Sequence, residues 1–413
     1  MRNCGIIKRA VAVCLSSVIL LLFFSGCQEK KPLQNVNLSV WASSSEIAAL
    51  TEMVEEFKEE HAGEAVFNIT ISQEDEDTCK ETVLSNIEGA ADIFFFAGDQ
   101  FGELQRAGAL LEITSGTKNI ISDNGGGDTA AIDCVSVGGS IYAYPVTASN
   151  GYFLYYNSQY YTEEDVKSFD RILEVAAKNG KKVAMDFCSG WYIYSFFKGA
   201  GLNVEMNDDG KTNNCNWNSE DGKYKGVEVA QAMLDIAGHE GFISCNDEAF
   251  VKGVKDGTII AGINGTWNSV NVSDAWGENY AAAKLPEYTL AGDSVQMCSF
   301  VGYKLIGVKA STKNPDWAMK LAEWLTNERN QIKRFEARGE LPANINAANS
   351  PEIKKSLAIS ALNGQNEFGY IQNVAESYWT PTYTFGTIIA AGNRDNRDLQ
   401  ELLDDMQKEI ENK

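Results

Sequence analysis

Histidine is nearly absent. The 413 residues hold two, His61 and His239. A Ser-His-Asp triad would have to use one of them, and neither lies near a nucleophile elbow. His61 follows Glu60 at the end of a predicted helix, and His239 sits in Gly238-His239-Glu240-Gly241, which reads as a turn. There is no phosphate loop and no dinucleotide fingerprint, so the sequence calls for no nucleotide and no cofactor. None of the nine cysteines forms a C-x-x-C pair, which excludes a zinc ribbon. Cys79, Cys134, Cys188, Cys215, Cys245 and Cys298 are too widely spaced for a compact disulfide framework, and their pairing stays open. Positive charge is short as well: 35 Lys and Arg face 57 Asp and Glu, for a net charge of −22. That excess excludes nucleic acid and anionic lipid surfaces as partners. Carboxylates are plentiful, so a pair acting on a glycosidic bond is not ruled out by counting; separation in space decides it. No tandem repeat or low-complexity tract appears.

Apolar runs are short after the first 24 residues. Arg2, Lys8 and Arg9 precede an apolar stretch from Ala10 to Phe24, closed by Ser25-Gly26-Cys27. The stretch suits a secretory signal better than a spanning helix. Small residues directly before Cys27 resemble a bacterial lipobox, which implies cleavage after residue 26 and lipid on the Cys27 sulfur. Residues 27–34 then read as a tether. The expected location is the outer face of the cytoplasmic membrane of a bacterium, of Gram-positive type. Loss of the leader's three basic residues takes the net charge from −22 to −25.

The remaining chain alternates strand and helix patterns. Leu38–Trp41 reads as a strand. Ser43 and Glu46 have capping-box spacing, followed by Ile47, Leu50, Val54 and Phe57 at helical intervals. Val66–Ile71 alternates like a strand, and Asp92–Phe96 is the dense apolar run of a buried parallel strand. This β-α-β order predicts a doubly wound α/β fold. Pro315 to Arg338 reads as one long helical region with Trp317 and Trp324 on its core face. A charged amphipathic helix starts at Asp398. Asn207 to Tyr224 suggests an irregular surface hairpin without the acid ladder of a calcium loop. The run Glu74-Asp75-Glu76-Asp77 reads as a solvated loop.

Aromatic residues are abundant: 8 Trp, 16 Tyr and 19 Phe. Several stand at segment ends beside Gly and Asn. Phe96 precedes Ala97-Gly98-Asp99-Gln100, Trp191 and Tyr192 follow Ser189-Gly190, Trp267 follows Asn264-Gly265-Thr266, and Tyr378-Trp379 precede Thr380-Pro381. Loops at the carboxyl ends of strands are where open α/β sheets take ligands. A sugar ring has an apolar face that suits a flat aromatic and a hydroxyl rim that suits carboxylates and amides.

Asp92-Ile-Phe-Phe-Phe-Ala-Gly-Asp-Gln-Phe-Gly102 with Gly108-Ala-Leu-Leu-Glu-Ile113 resembles the signature stretch of maltose-binding proteins, the solute receptors of ATP-driven sugar importers. Tyr142-Ala-Tyr-Pro145 with Tyr155-Tyr-Asn157, Phe250–Gly257 with Ala261–Trp267, Leu285-Pro286, Phe300-Val-Gly302 and Asn314–Leu325 match further family segments in order. The resemblance implies a two-lobed, periplasmic-binding-protein-like fold: a first lobe from 35–147 plus 283–345 and a second from 148–282 plus 346–413, with sugar held between them. It implies ligand contacts from Phe96, Asp99, Gln100, Trp191, Tyr192, Trp267, Tyr378 and Trp379. Ser44 and Glu46 stand in place of an Asp-Lys pair, Gln100 in place of an Arg, and the crossover at Asn150 has lost a Glu. The aromatic platform is kept and the polar rim altered, so the expected ligand is an oligosaccharide, with α-1,4-glucan fragments first. The expected partner is a membrane permease, with the receptor a monomer and not an enzyme. The other readings are a receptor for a different oligosaccharide, a secreted glycan-acting enzyme and a starch-binding surface module.

Overall fold

The computed structural model describes residues 33–127, 129–207 and 209–411. The leader, Cys27 and most of the tether lie outside the described residues. Two five-stranded sheets, each with its own apolar core, form two lobes.

The first sheet runs in the order Ala65–Gln73, Gln34–Ala42, Ile93–Ala97, Lys304–Val308, Ala143–Thr147. Gln34–Ala42 pairs in parallel with both its neighbours, while Lys304–Val308 is antiparallel to both of its own. Ile93–Phe96 is wholly buried, as its unbroken apolar sequence requires of a central strand covered on both faces. The second sheet repeats the plan: Phe242–Ile243, Lys182–Ala184, Ile259–Gly265, Tyr152–Asn157, Tyr280–Ala283. Here the fourth strand, Tyr152–Asn157, is the antiparallel one.

Helices cover these sheets with apolar stripes. Ile47–Glu60 buries Leu50, Met53, Val54 and Phe57 in the first core. Phe57 meets Trp317 and Trp324 edge-on at 6.3 and 6.0 Å, and the Trp324 indole donates to the Met53 carbonyl. The helix entry differs from a capping box: the Glu46 carboxylate turns away to pair with Arg334 and Arg338, and no side chain caps the helix. Pro315 to Arg338 is two helices, Pro315–Thr326 and Glu328–Arg338. Asn327 takes an extended conformation between them, and its side chain accepts from the Asn330 amide to cap the second. Asp398 caps the C-terminal helix Leu399–Ile410 in the same way.

The return to the first lobe comes later than position 283. Tyr288, Leu290, Val295, Met297 and Phe300 are buried in the second core, and Ser299–Val301 pairs with Gly369–Ile371. Alternating apolar residues on the hairpin Glu287–Leu290/Asp293–Gln296 find their partners there, so the crossing falls at Gly302. Three strands of chain therefore cross side by side. The Ala148 amide donates to the Leu341 carbonyl (2.8 Å), the Asn150 amide to the Gly302 carbonyl (3.2 Å), and the Leu341 amide to the Ser149 hydroxyl (2.9 Å).

Asn207–Tyr224 begins as a short hairpin, Val204–Met206 against Asn213–Cys215, and continues irregularly. All six described cysteines are free thiols. Trp217, fully buried, stacks on Phe197 at 4.1 Å with 4° between the planes. Trp217→Ala is expected to cost about 3–5 kcal/mol, read as a lower urea midpoint at unchanged slope.

Candidate functional site

The carboxyl ends of the parallel strands carry the loops of interest. In the first lobe they lead to Ser44 and Glu46, to Glu74–Asp77, to Asp99 and Gln100, and to Asn150; in the second, to Trp191, Asp247 and Trp267. Contacts between the lobes occur at these same ends. Thr266 donates its hydroxyl to the Ser149 carbonyl at 3.2 Å, and Ser269 to the Arg338 carbonyl at 3.4 Å.

Trp267 sits in a single helical turn, Thr266–Asn268, opened by the strand Ile259–Gly265. A Cβ on Gly265 would lie within about 2 Å of the indole, so only glycine lets the ring fold back there. The indole N–H donates to the Asp247 carboxylate at 2.6 Å, and Asp247 is held in turn by the Asn264 amide at 2.8 Å. The Lys304 ammonium lies 5.9 Å from the ring centroid. Trp267 is thus fixed from its edge and from one face.

Beneath it lies a buried charge network of three carboxylates and three cations. Glu46 pairs with Arg334 and Arg338; Arg338 reaches Glu340 at 3.1 Å; Lys304 reaches Glu340 at 2.9 Å and Glu76 at 3.9 Å. Burial alone would raise the Glu340 carboxyl, but Lys304, Arg338 and Arg334 outweigh it and hold that carboxyl well below its ordinary 4.5. Glu76 is not solvated as its acidic run suggests: its side chain is 14 % exposed.

Asp99 follows the strand Ile93–Ala97 in the turn Gly98–Gln100. Burial pushes its carboxyl up to about 6; its own backbone amide and Lys80 pull the other way, while Glu376 and Glu81 add to the rise. Its Oδ1 is buried without a hydrogen-bond partner among the described residues. The Trp191 indole N–H, at the start of the helix Gly190–Gly199, is in the same condition. An unmet acceptor and an unmet donor at strand ends are the pattern a polar ligand would satisfy. Trp191 lies in a chain of rings: 5.7 Å from Tyr152 and 5.3 Å from Phe300, with Phe300 6.2 Å from Tyr378 and Tyr378 4.9 Å from Trp379.

Other expected contacts sit behind the surface. Phe96 is fully buried, its ring 5.9 Å from Phe94 in the first core, because its strand is covered on both sides. Tyr192 belongs to the second core, its ring 5.0 Å from Tyr152. Tyr378 is fully buried and donates its hydroxyl to the Gly190 carbonyl at 2.8 Å, joining the segments that carry Trp191 and Trp379. Gln100 donates to the carbonyls of Glu76 and Asp77 and accepts from the Lys80 amide, so it shapes the acidic loop from behind. Glu46 is consumed by its arginines. Ser44 is exposed on the helix entry, and Asn150 is half-buried on the crossing. Trp191, Trp267, Trp379, Asp99 and Asn150 keep partial exposure and Ser44 is exposed, so these are the expected contacts left with side-chain chemistry for a ligand. Asp247, Lys304, Glu340 and Lys80 enter the site only in the structure, and no local sequence pattern points to them.

This arrangement has relatives. The family model for bacterial extracellular solute-binding proteins matches residues 52–361. The chain belongs to that family. The receptor is 26% identical over 428 residues to the galactooligosaccharide-binding protein of Bacillus subtilis (strain 168), covering 95% of this chain and 94% of that protein. It is 26% identical over 291 residues to Maltodextrin-binding protein MdxE of the same organism, covering 67% and 66%. A solved structure with acarbose superposes with a TM-score of 0.79 at 26% identity, covering 92% of this chain and 99% of that one. The family is extracellular, and no helix among the described residues is long and apolar enough to cross a membrane.

Two outcomes test the receptor's electrostatics. A carboxyl with its folded value raised from 3.8 to about 6 makes stability fall as pH rises through that window. Asp99→Asn should therefore stabilise the fold by about 1–3 kcal/mol at pH 7.5, with the gain vanishing near pH 4, measured by urea titration. Glu340 has the opposite sign: its contribution is full above its ordinary value and is lost as pH falls below about 4. Glu340→Gln should cost about 3–5 kcal/mol at neutral pH, and the gap from the parent should close on acidification.

Proposed function

We propose that this receptor captures oligosaccharides between its lobes and passes them to the permease of an ATP-driven importer, with maltooligosaccharides as the preferred class. The observation that carries this reading is the half-buried Trp267, braced by Asp247 and Lys304 where the two lobes meet. Trp191 and Trp379 add two further indoles, and Asp99 adds an unmet acceptor for a hydroxyl. Stacking a sugar face on one such ring is worth roughly 1–3 kcal/mol, by analogy with base stacking. Three rings approach the roughly 8 kcal/mol of micromolar binding. Sugar touching both lobes favours the closed arrangement, with bending at Thr147–Gly151, around Gly302 and at Gly339–Asn344. The lobe boundaries follow those crossings.

The relative matched along nearly the whole chain is named for galactooligosaccharides, which makes that class the second reading. Binding rather than bond cleavage is proposed, so an oligosaccharide incubated with the protein keeps its mass. A lipid on Cys27 would hold the monomeric receptor at the outer membrane face beside its permease.

Tryptophan fluorescence titrated with maltotriose and with a galactooligosaccharide of equal length decides the class. Saturation by maltotriose alone supports the first reading, and saturation by the galactose oligomer alone replaces it with the second. Silence to both and to a wider oligosaccharide panel overturns sugar binding. Trp267→Ala and Trp379→Ala should each weaken the bound sugar about tenfold or more, with the fold intact by circular dichroism.

A further inference from the structure

One rim of the cleft is closed by the protein's own charges. Lys80, on the first-lobe helix Cys79–Ser85, is surrounded by Glu81 at 3.2 Å, Glu103 at 3.3 Å and Glu376 at 2.7 Å. Glu81 and Glu103 belong to the first lobe, whereas Glu376 lies in the second, in the turn Glu376–Tyr378 that leads into Trp379. The shortest of the three pairs is the one that spans the lobes. The Lys80 side chain is 9 % exposed, so its ammonium is taken out of water by this contact, while Glu376 is 60 % exposed.

Hydrogen bonds brace the turn that presents Glu376. Asn213 accepts from the Ala375 amide at 2.7 Å and donates to the Ser377 hydroxyl at 3.1 Å; Ser377 donates to the Ile410 carbonyl at 2.6 Å. The same hairpin makes a second crossing contact: Arg106 of the first lobe donates to the Gly210 carbonyl at 3.2 Å. Both contacts join first-lobe cations to one braced unit of the second lobe, and neither involves a ligand.

We propose that Lys80 and Glu376, with Arg106 on Gly210, form an interlobe latch that keeps a fraction of the empty receptor closed and so helps set its affinity for sugar. Lys80 and Glu376 are positioning residues: they act on Trp379 and Asp99 through lobe placement. The affinity arm rests on the sugar-binding reading; the closure arm does not.

The test begins without sugar. The radius of gyration of the ligand-free protein is measured by small-angle X-ray scattering between about 20 and 500 mM NaCl, a range over which the screening length falls severalfold. The parent should expand as salt rises. Glu376→Gln, at an exposed site whose neutralisation spares both cores, should be expanded already at low salt and respond weakly to added salt. A radius identical to the parent's at low salt, or an undiminished salt response in the variant, overturns the latch. In the second arm, Glu376→Gln should raise the dissociation constant for the sugar identified above by roughly three- to tenfold, through faster release. An unchanged constant overturns the affinity claim while leaving closure standing. Absence of sugar binding in the parent rejects the functional reading and leaves the scattering result intact.

Discussion

The pairing of Glu46, Arg334, Arg338, Glu340, Lys304 and Glu76 is the constraint on which the junction depends. The six side chains come from five stretches of chain: a helix start, the helix Glu328–Arg338 that carries both arginines, a crossing segment, a sheet strand and an acidic loop. Removing any one leaves a charge stranded in a place where isolated charges are costly, so the group fixes those stretches against one another. The network is balanced in sign, which lets it be buried at all in so acidic a protein. It also supplies the cation that lies over Trp267. The ring's orientation is therefore an outcome of the junction's electrostatics, with Asp247 completing the hold from the other lobe.

This division of labour separates rigid from movable parts. Trp191 and Trp379 are packed against rings of their own lobe, and the Trp267 indole is bonded to Asp247 within its own lobe and faced by Lys304 from the other. The crossing segments are joined laterally by a few backbone bonds, a narrow connection that permits rotation without tearing either sheet. Binding affinity in such a molecule is shared between the ligand's own contacts and the equilibrium of the lobes, because the competent fraction scales the apparent constant.

Much of the architecture was legible in the sequence. The apolar run at Ile93–Phe96, the periodic helix from Ile47 and the helix capped by Asp398 carry their own signals, and the ordered family segments supplied the two lobes. Pattern also misleads in identifiable ways. Ser43 and Glu46 have the spacing of a cap, but two arginines nearly three hundred residues away offer Glu46 a stronger partner. Phe96 ends a strand, yet the sheet is covered on both sides, so its ring has no route to the surface. The return to the first lobe falls later than the family segments imply, because Tyr288, Leu290 and Val295 alternate as any strand does and only packing tells which core they enter. Glu76 and Lys304 lie far apart in sequence, and nothing local announces their meeting. Gly265 before Trp267, by contrast, is a local signal of the ring's placement, since a ring that folds back against its own backbone demands a neighbour without a side chain.

The antiparallel strand Lys304–Val308 occupies the fourth place in the first sheet, between Ile93–Ala97 and Ala143–Thr147. Its neighbours are synthesised long before it: about 160 residues, or roughly 8–30 s of synthesis, separate Thr147 from Lys304. Until it arrives the first sheet is split, with two open edges and its helices Pro315–Thr326 and Glu328–Arg338 still missing. The strands Tyr152–Asn157 to Tyr280–Ala283 suffer no such gap, so the second sheet can form as one continuous stretch of chain. The two sheets thus close in the reverse of the order in which they begin: the first sheet starts earlier and is completed later, and its half-built edge must stay unpaired while the second sheet forms.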